Sequence, residues 1–493
     1  MKRWKTGRLR HGRLAPALLL GLAAPPVFAQ SGPITSQSLF FNQGSNAYRG
    51  NHLEVDGGVL YTDNVFLQPG GGHGATLGLL GLVGDIGEQR PRFDYRLSTD
   101  VALVKYVPAD FEAQPSGYLD GSARLFIVPG LFSWTGRDTY SQVALSQYQP
   151  ITPDNLESIN YASTGPRLTL LPTLRTSLVV DVTYSYVYSS SKSPLYVNVD
   201  NHRYGGDITL NRAFSDTSSA YINASSEKVD FTDQVDNTNF REDQAKAGYS
   251  LRDARTALDL SAGYEKLHEV GVTTASSVVG PGQSAQSQAP RGTQWRVDLS
   301  RVIRPTQRVS VHASKQITDT SSLFRLNVDQ AVPTTVPNRI LTGQAFSYRD
   351  IGATWRIEAG RTAFQIDAVD ISQRYRATPT LDADSKVFLA LLARQLSPVL
   401  NWDIGGNYEH DNYTAGGRRS SWSALTSLRW SVGERLRLRF LYAHSAQVQP
   451  SYHVNEFGLV AYYTVIGARP TDAPAELTPQ MQPRAPMSSQ QPR

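Results

Sequence analysis

The sequence predicts an all-β chain, a transmembrane antiparallel up-and-down β-barrel of about 20 strands, with 18 as the alternative count. Three observations carry this. A short apolar leader opens the 493-residue chain, most of the rest alternates apolar and polar side chains at a two-residue period, and tight turns alternate with longer polar connections. A period of two puts successive side chains on opposite faces, one greasy and one wet. Outside the leader no segment is long and apolar enough for a spanning helix. Alternating segments of about ten residues separated by turns are instead the signature of an outer-membrane barrel, and the cell outer membrane is the expected location.

The leader carries Lys2, Arg3, Lys5, Arg8, Arg10 and Arg13 without an acid, and its apolar core, 14–24, is too short to span a bilayer. Pro25-Pro26 breaks that core and Val27-Phe28-Ala29 fits the small-x-small cleavage rule, so residues 1–29 read as a signal peptide. The whole chain carries +5 and the leader +6, which leaves −1 on the remainder. The pI of about 9.1 is therefore mostly a property of the leader and marks no nucleic-acid partner. With no cysteine there is no disulfide framework, no thiolate metal site and no acylated lipid anchor; no cofactor is expected. A mean hydropathy of −0.34 with 24 tyrosines and 39 glycines suits a barrel, where only alternate residues meet lipid.

Residues 30–50 are polar and Ser/Gln/Gly-rich and read as a periplasmic lead-in, 51–466 as the barrel, and 467–493, rich in Pro, Gln and Ala, as a disordered periplasmic tail. Leu53, Val55, Gly57, Val59 and Tyr61 share the first outward row. Leu436, Leu438, Phe440 and Tyr442 alternate with Arg435, Arg437 and Arg439, and guanidinium groups cost about 2–4 kcal/mol each near the bilayer midplane. These arginines must face the interior or stand at a strand end. The same argument turns outward Trp295, Val297 and Leu299; Ile351, Ala353, Trp355 and Ile357; and Leu178, Val180, Val182, Tyr184 and Tyr186.

Short connections are expected at 87–90, 129–130, 214–217, 253–255, 304–307, 358–361, 396–398 and 431–434. Longer ones are expected near Gly70, Pro108, Pro150, Ser191, Asp233, Gly280, Thr335, Pro379, Gly416 and Pro450. Their alternation implies tight turns and both termini on the periplasmic side. Two loops, 270–290 and 319–341, exceed the rest and are candidates for folding into the mouth. Glu456, Gly458 and Tyr463 form a partial signal for the outer-membrane assembly machinery, with Ala461 in place of an aromatic.

Tyr61-Thr62-Asp63-Asn64-Val65-Phe66-Leu67 closes the first strand. It resembles the Tyr-x-Asp-Asn-hydrophobic signature, here Tyr61, Asp63 and Asn64, of a family of β-barrel porins encoded with exopolysaccharide gene clusters. Further echoes are Arg137-Asp138-Thr139-Tyr140 with Gln142, and Asn160-Tyr161 with Gly165-Pro166. The resemblance implies a barrel assisting export or surface assembly of an exopolysaccharide chain beside periplasmic polysaccharide-export proteins. The alternative is a general or solute-specific porin. The plainer reading of Asp63-Asn64 is a turn former.

No P-loop, nucleophile elbow or zinc pair is present, so the chain reads as a transporter without a chemical step. Ser310, His312 and Ser314 share one strand face within reach of a neighbouring acid, but Val309, Val311 and Ala313 take the lipid side, which makes His312 a solvated lumen residue. Asp230, Asp233 and Asp236 lack the spacing of a dedicated Ca²⁺ loop. The expected lumen face is mixed in sign: Arg92, Asp94, Arg96, Asp207, Lys246, Asp259, Arg296, Asp298, Arg356, Asp403, Arg435, Arg437 and Arg439. Such a wall can hydrogen-bond sugar hydroxyls and carboxylates, or it can serve solvation alone. Tyr140, Tyr148 and Tyr161 are candidates for stacking on pyranose rings, against the plainer role of girdle tyrosines.

Overall fold

The computed structural model describes residues 51–467 except for 71, 108–110, 112, 145–154, 191–197, 234–236, 238, 270–290, 320–343, 376–377 and 449–450. The expected signal peptide, lead-in and tail, the 270–290 loop and nearly all of the 319–341 loop lie outside the described residues.

The first ten strands are β1 (His52–Thr62), β2 (Ala75–Gln89), β3 (Phe93–Val107), β4 (Gln114–Val128), β5 (Phe132–Ala144), β6 (Leu156–Thr173), β7 (Thr176–Ser189), β8 (Asn201–Ala213), β9 (Ser218–Phe231) and β10 (Phe240–Arg252). They continue as β11 (Thr256–Glu269), β12 (Arg291–Arg304), β13 (Gln307–Thr318), β14 (Phe346–Ala359), β15 (Thr362–Tyr375), β16 (Ala383–Ser397), β17 (Leu400–Tyr413), β18 (Gly417–Ser431), β19 (Leu436–Gln447) and β20 (Tyr452–Ile466). Each strand pairs antiparallel with its neighbour in sequence, and β20 returns to β1 with Tyr463 opposite Val55 and Phe457 opposite Tyr61. Closure leaves no unpaired edge, the condition for a sheet to stand in hydrocarbon. No helix among the described residues is long and apolar enough to cross a membrane.

Opposed residues of an antiparallel pair share a face, so one assignment propagates around the sheet. Asp56 faces inward; register carries that face through Gly81 and Ala102 and returns to Tyr462, opposite Asp56 itself. The outward rows are those expected from sequence on β7, β12, β14 and β19. Slipping β19 by one residue would place Arg437 and Arg439 in lipid, at about 2–4 kcal/mol each near the midplane. Half-exposed Trp134, Trp402, Trp422, Trp430, Tyr61 and Tyr463 stand on the outer face, on strands whose other outward side chains are largely apolar. The chain is thus a closed, even-stranded transmembrane barrel of the outer membrane.

Ten connections lie at one end and nine at the other, where β1 begins and β20 ends. Alternation by side is complete, but alternation by length is not, since the connection at Gly416 spans only 414–416. The turn at 174–175 escaped sequence reading because it holds no Gly, Asn or Asp. Gly130 shows the contrary case, its φ of 76° supplying the left-handed residue a tight turn needs.

Candidate functional site

The inner wall is not polar all round, as the sequence had implied. Leu60, Leu77, Leu79, Val83, Val104 and Val460 point inward and are buried together, joined by Val65 and Phe111 from the connections after β1 and β3. Gly458 permits this packing, since a Cβ there would stand 2.8 Å from Leu60 Cγ. Alternation on β2 conceals the cluster because Leu80 and Leu82 face lipid while Leu77 and Leu79 face in; both faces are apolar.

Two arcs result. Along β13–β20 and β1–β3 most inward side chains are buried against one another. Along β4–β12 the inward side chains away from the loop end are mostly polar and half-exposed, with Phe126, Val179 and Val302 as apolar exceptions toward the turn end. Ion pairs between adjacent strands stitch this wall: Arg137 Nε to Asp120 Oδ1 at 2.8 Å, Arg167 Nε to Asp181 Oδ1 at 2.6 Å and Arg203 Nη1 to Glu227 Oε1 at 2.7 Å.

At the loop end two segments lean over the mouth. Asn64 donates its amide to the carbonyls of Gln68 and His453, both at 3.0 Å, and its Oδ1 accepts the Gln68 N–H. This holds the connection after β1 inward, so that Leu67, at a positive φ of 54°, packs on Tyr452 and Val454 of the β20 inner face. Opposite, β13 loses its pairing to β12 beyond Lys315. The Ile317 N–H reaches Glu265 Oε2 at 2.8 Å, and its side chain packs on Val229, Phe231, Phe240 and Leu267. Asp319 then meets Arg203 of β8 at 2.6 Å, both side chains fully buried. Arg203, Glu265 and Ile317 were not singled out from sequence, and Asp319 entered only as the first residue of a loop expected at the mouth; nothing local announces a contact between positions 116 residues apart.

The residues singled out from sequence divide as follows. Asp94, Arg96, Asp207, Lys246, Asp259, Arg296, Asp298, Arg356, Asp403, Arg437 and Arg439 lie on inward positions of their strands. Arg96 bonds Asp85 at 3.0 Å and keeps over half its side chain exposed, whereas Arg356, Arg437 and Arg439 are buried. Arg92 and Arg435 are not on the wall: each lies in a tight turn just before a strand begins, exposed to solvent. Tyr140 points outward, its hydroxyl 2.9 Å from Ser158 Oγ, because the β4–β5 register puts it opposite outward Leu119. Tyr161 points inward but is buried, donating to Ser185 Oγ at 2.8 Å, and offers no open ring face. Tyr148 lies outside the described residues. Tyr61 faces lipid, while Asp63 and Asn64 are both engaged with β20.

His312 Nε2 lies 3.1 Å from Asp350 Oδ2, and Ser314 Oγ donates to Asp350 Oδ1. One carboxylate thus gathers both donors and ties β13 to β14, while no serine contacts the other ring nitrogen as a hydrolytic relay requires. Asp230 lies beside Lys228 at 2.7 Å, Asp236 lies outside the described residues, and no metal-ligating group of three occurs among those described.

No known family model matches the chain, and it has no match among curated proteins. Among solved structures it is similar to the siderophore receptor PirA from Pseudomonas aeruginosa, at 10% identity over 85% of this chain and 81% of that one, with a TM-score of 0.45. The Acinetobacter baumannii OccAB4 structure shows 11% identity over 86% and 99%, with a TM-score of 0.37. The ferric-catecholate import receptor Fiu from E. coli K12 shows 10% identity over 85% and 82%, with a TM-score of 0.43. At these identities and scores no solute or mechanism carries across.

Proposed function

We propose that this barrel is a passive outer-membrane channel for small hydrophilic solutes, with its tight turns and both strand termini facing the periplasm. The observation that carries the reading is the half-exposed polar arc on β4–β12, enclosed by a sealed sheet of 20 strands. Barrels of 16–18 strands already leave an aqueous channel, and diameter grows with strand number.

Export of an exopolysaccharide, implied by the 61–67 resemblance, has less support. Of the stacking tyrosines it calls on, Tyr140 points outward and Tyr161 is buried, and Asp63 and Asn64 are occupied in holding the first connection to β20. Polysaccharide-export proteins and the assembly machinery remain partners that the resemblance and the last strand imply.

Purified protein in planar bilayers should give stepwise conductance, and liposomes containing it should swell in small sugars. Absence of both would overturn the channel reading. Gene deletion separates the alternatives: slower uptake of small solutes with normal polymer secretion supports the channel, and lost polymer with unchanged uptake restores the export role.

A further inference from the structure

On the half-exposed arc, acids stand directly opposite acids at three strand pairs: Asp181 and Asp207 on β7–β8, Glu227 and Glu242 on β9–β10, and Asp259 and Asp298 on β11–β12. All six face inward. Like charges placed directly across an antiparallel pair are destabilising. In each pair one carboxylate is bonded by an arginine: Arg167 on Asp181, Arg203 on Glu227 and Arg296 on Asp298. Arg203 is shared further with Asp319.

Two more bases face inward on β6–β12; on β4 and β5 Arg124 faces inward opposite Asp94, and Arg137 is paired with Asp120. Arg252 reaches Asp259 only at 3.8 Å, and Lys246 lies among Asp207, Glu242 and Glu265 without an ion pair. On β6–β12 the six acids of these pairs, with Glu265 as a seventh, face five inward bases, Arg167, Arg203, Lys246, Arg252 and Arg296, so negative charge is in surplus there. Base-opposite-base pairs also occur, Arg308 with Arg356 and Arg429 with Arg439, but on the packed arc, where Arg356 and Arg439 are buried. The field presented to the lumen is that of the acids.

We infer that these acid pairs make the channel prefer cations, organic amines among them, over anions; the inference rests on the channel reading above. Asp207 and Asp259 are the specificity-determining positions, each the member of its pair with no guanidinium within hydrogen-bond distance. Lys246 moderates their field.

The test is the reversal potential of the purified full chain in planar bilayers under a KCl gradient. Cation selectivity is expected, strengthening as salt is lowered because screening lengthens from about 3 Å at 1 M to about 10 Å at 0.1 M. Asp207→Asn with Asp259→Asn, both isosteric, should reduce the K⁺ over Cl⁻ permeability ratio severalfold at unchanged heat-modified mobility, and Lys246→Gln should raise it. Conductance with no cation preference would overturn the inference and leave the channel standing. Cation preference unchanged in the folded double variant would overturn the assignment to these acids. No conductance under any condition, with no liposome swelling, would overturn inference and channel together.

Discussion

Asp63 and Asn455 face one another across the seam where β1 meets β20 and exchange three hydrogen bonds. The Asn455 backbone N–H donates to Asp63 Oδ1 at 2.8 Å, its amide donates to Oδ2 at 2.6 Å, and the Asp63 N–H donates to the Asn455 carbonyl at 3.1 Å. The other end of the seam is also held by a charged group: Glu54 accepts from Arg437 at 2.6 Å and from Thr464 at 3.1 Å. Arg437 in turn lies over the Tyr462 ring, 4.8 Å from its centroid. The seam joins the two most distant strands in sequence, so its contacts bear the largest loop-closure entropy of any in the sheet.

Removing either side chain of the upper clamp should therefore cost more than an ordinary surface bond. Asp63→Ala and Asn455→Ala are each expected to lose about 1.5–3 kcal/mol, the range for hydrogen bonds to a charged group. Urea unfolding of the refolded barrel would measure this. Losses that add fully in the double variant would show that the two residues do not act as a pair.

The face assignment can be tested with adjacent residues. Val182 faces lipid midway along β7, and Thr183 faces the half-exposed arc. Val182→Arg should cost about 2–4 kcal/mol and depress membrane assembly, and Thr183→Arg should be tolerated. Leu438→Arg, two residues from the end of β19, should fall between them because the penalty declines toward the interface. Equal yields for Val182→Arg and Thr183→Arg would mean that the register is displaced by one residue.

Gly248 lets the Tyr221 ring lie flat on the inner wall. A Cβ at that position would stand 2.3 Å from Tyr221 Cε1. Gly248→Ala is expected to swing this ring into the lumen, lowering single-channel conductance with little change in unfolding. Unchanged conductance would show that the half-exposed arc does not border the conducting path.

Acid sensitivity is expected at one tight turn. Asp253 Oδ1 accepts the N–H groups of Arg255 at 2.7 Å and Thr256 at 2.6 Å, and these bonds hold its carboxyl below the usual carboxylate range. A depressed folded pKa means that the turn's stabilisation is complete above the unfolded value and is lost as pH falls through the folded one. Asp253→Ala should therefore unfold more readily than the parent at neutral pH and match it in strong acid. A difference that persists in acid would assign the effect to packing.

The sequence alone determined the barrel and the faces of those strands on which charged and apolar residues alternate cleanly, because both rest on local chemistry. Period two is a property of adjacent residues, and an arginine beside a leucine can take only one side of a sheet in lipid, as on β19. It fell short at 174–175, where no turn residue stands, and at Arg92 and Arg435, where alternation runs past the strand end. Only the tertiary structure decided how the lumen is divided. Leu77 and Leu79 lie on a strand with two apolar faces, so no pattern marks them as an inner cluster. The meeting of Arg203 with Asp319 depends on β13 leaning inward, and the opposition of Asp181 to Asp207 or of Asp259 to Asp298 depends on register between strands. Alternation tells which way a side chain points. Its partner is set by how neighbouring strands are aligned and how the wall closes, and those are properties of the whole sheet.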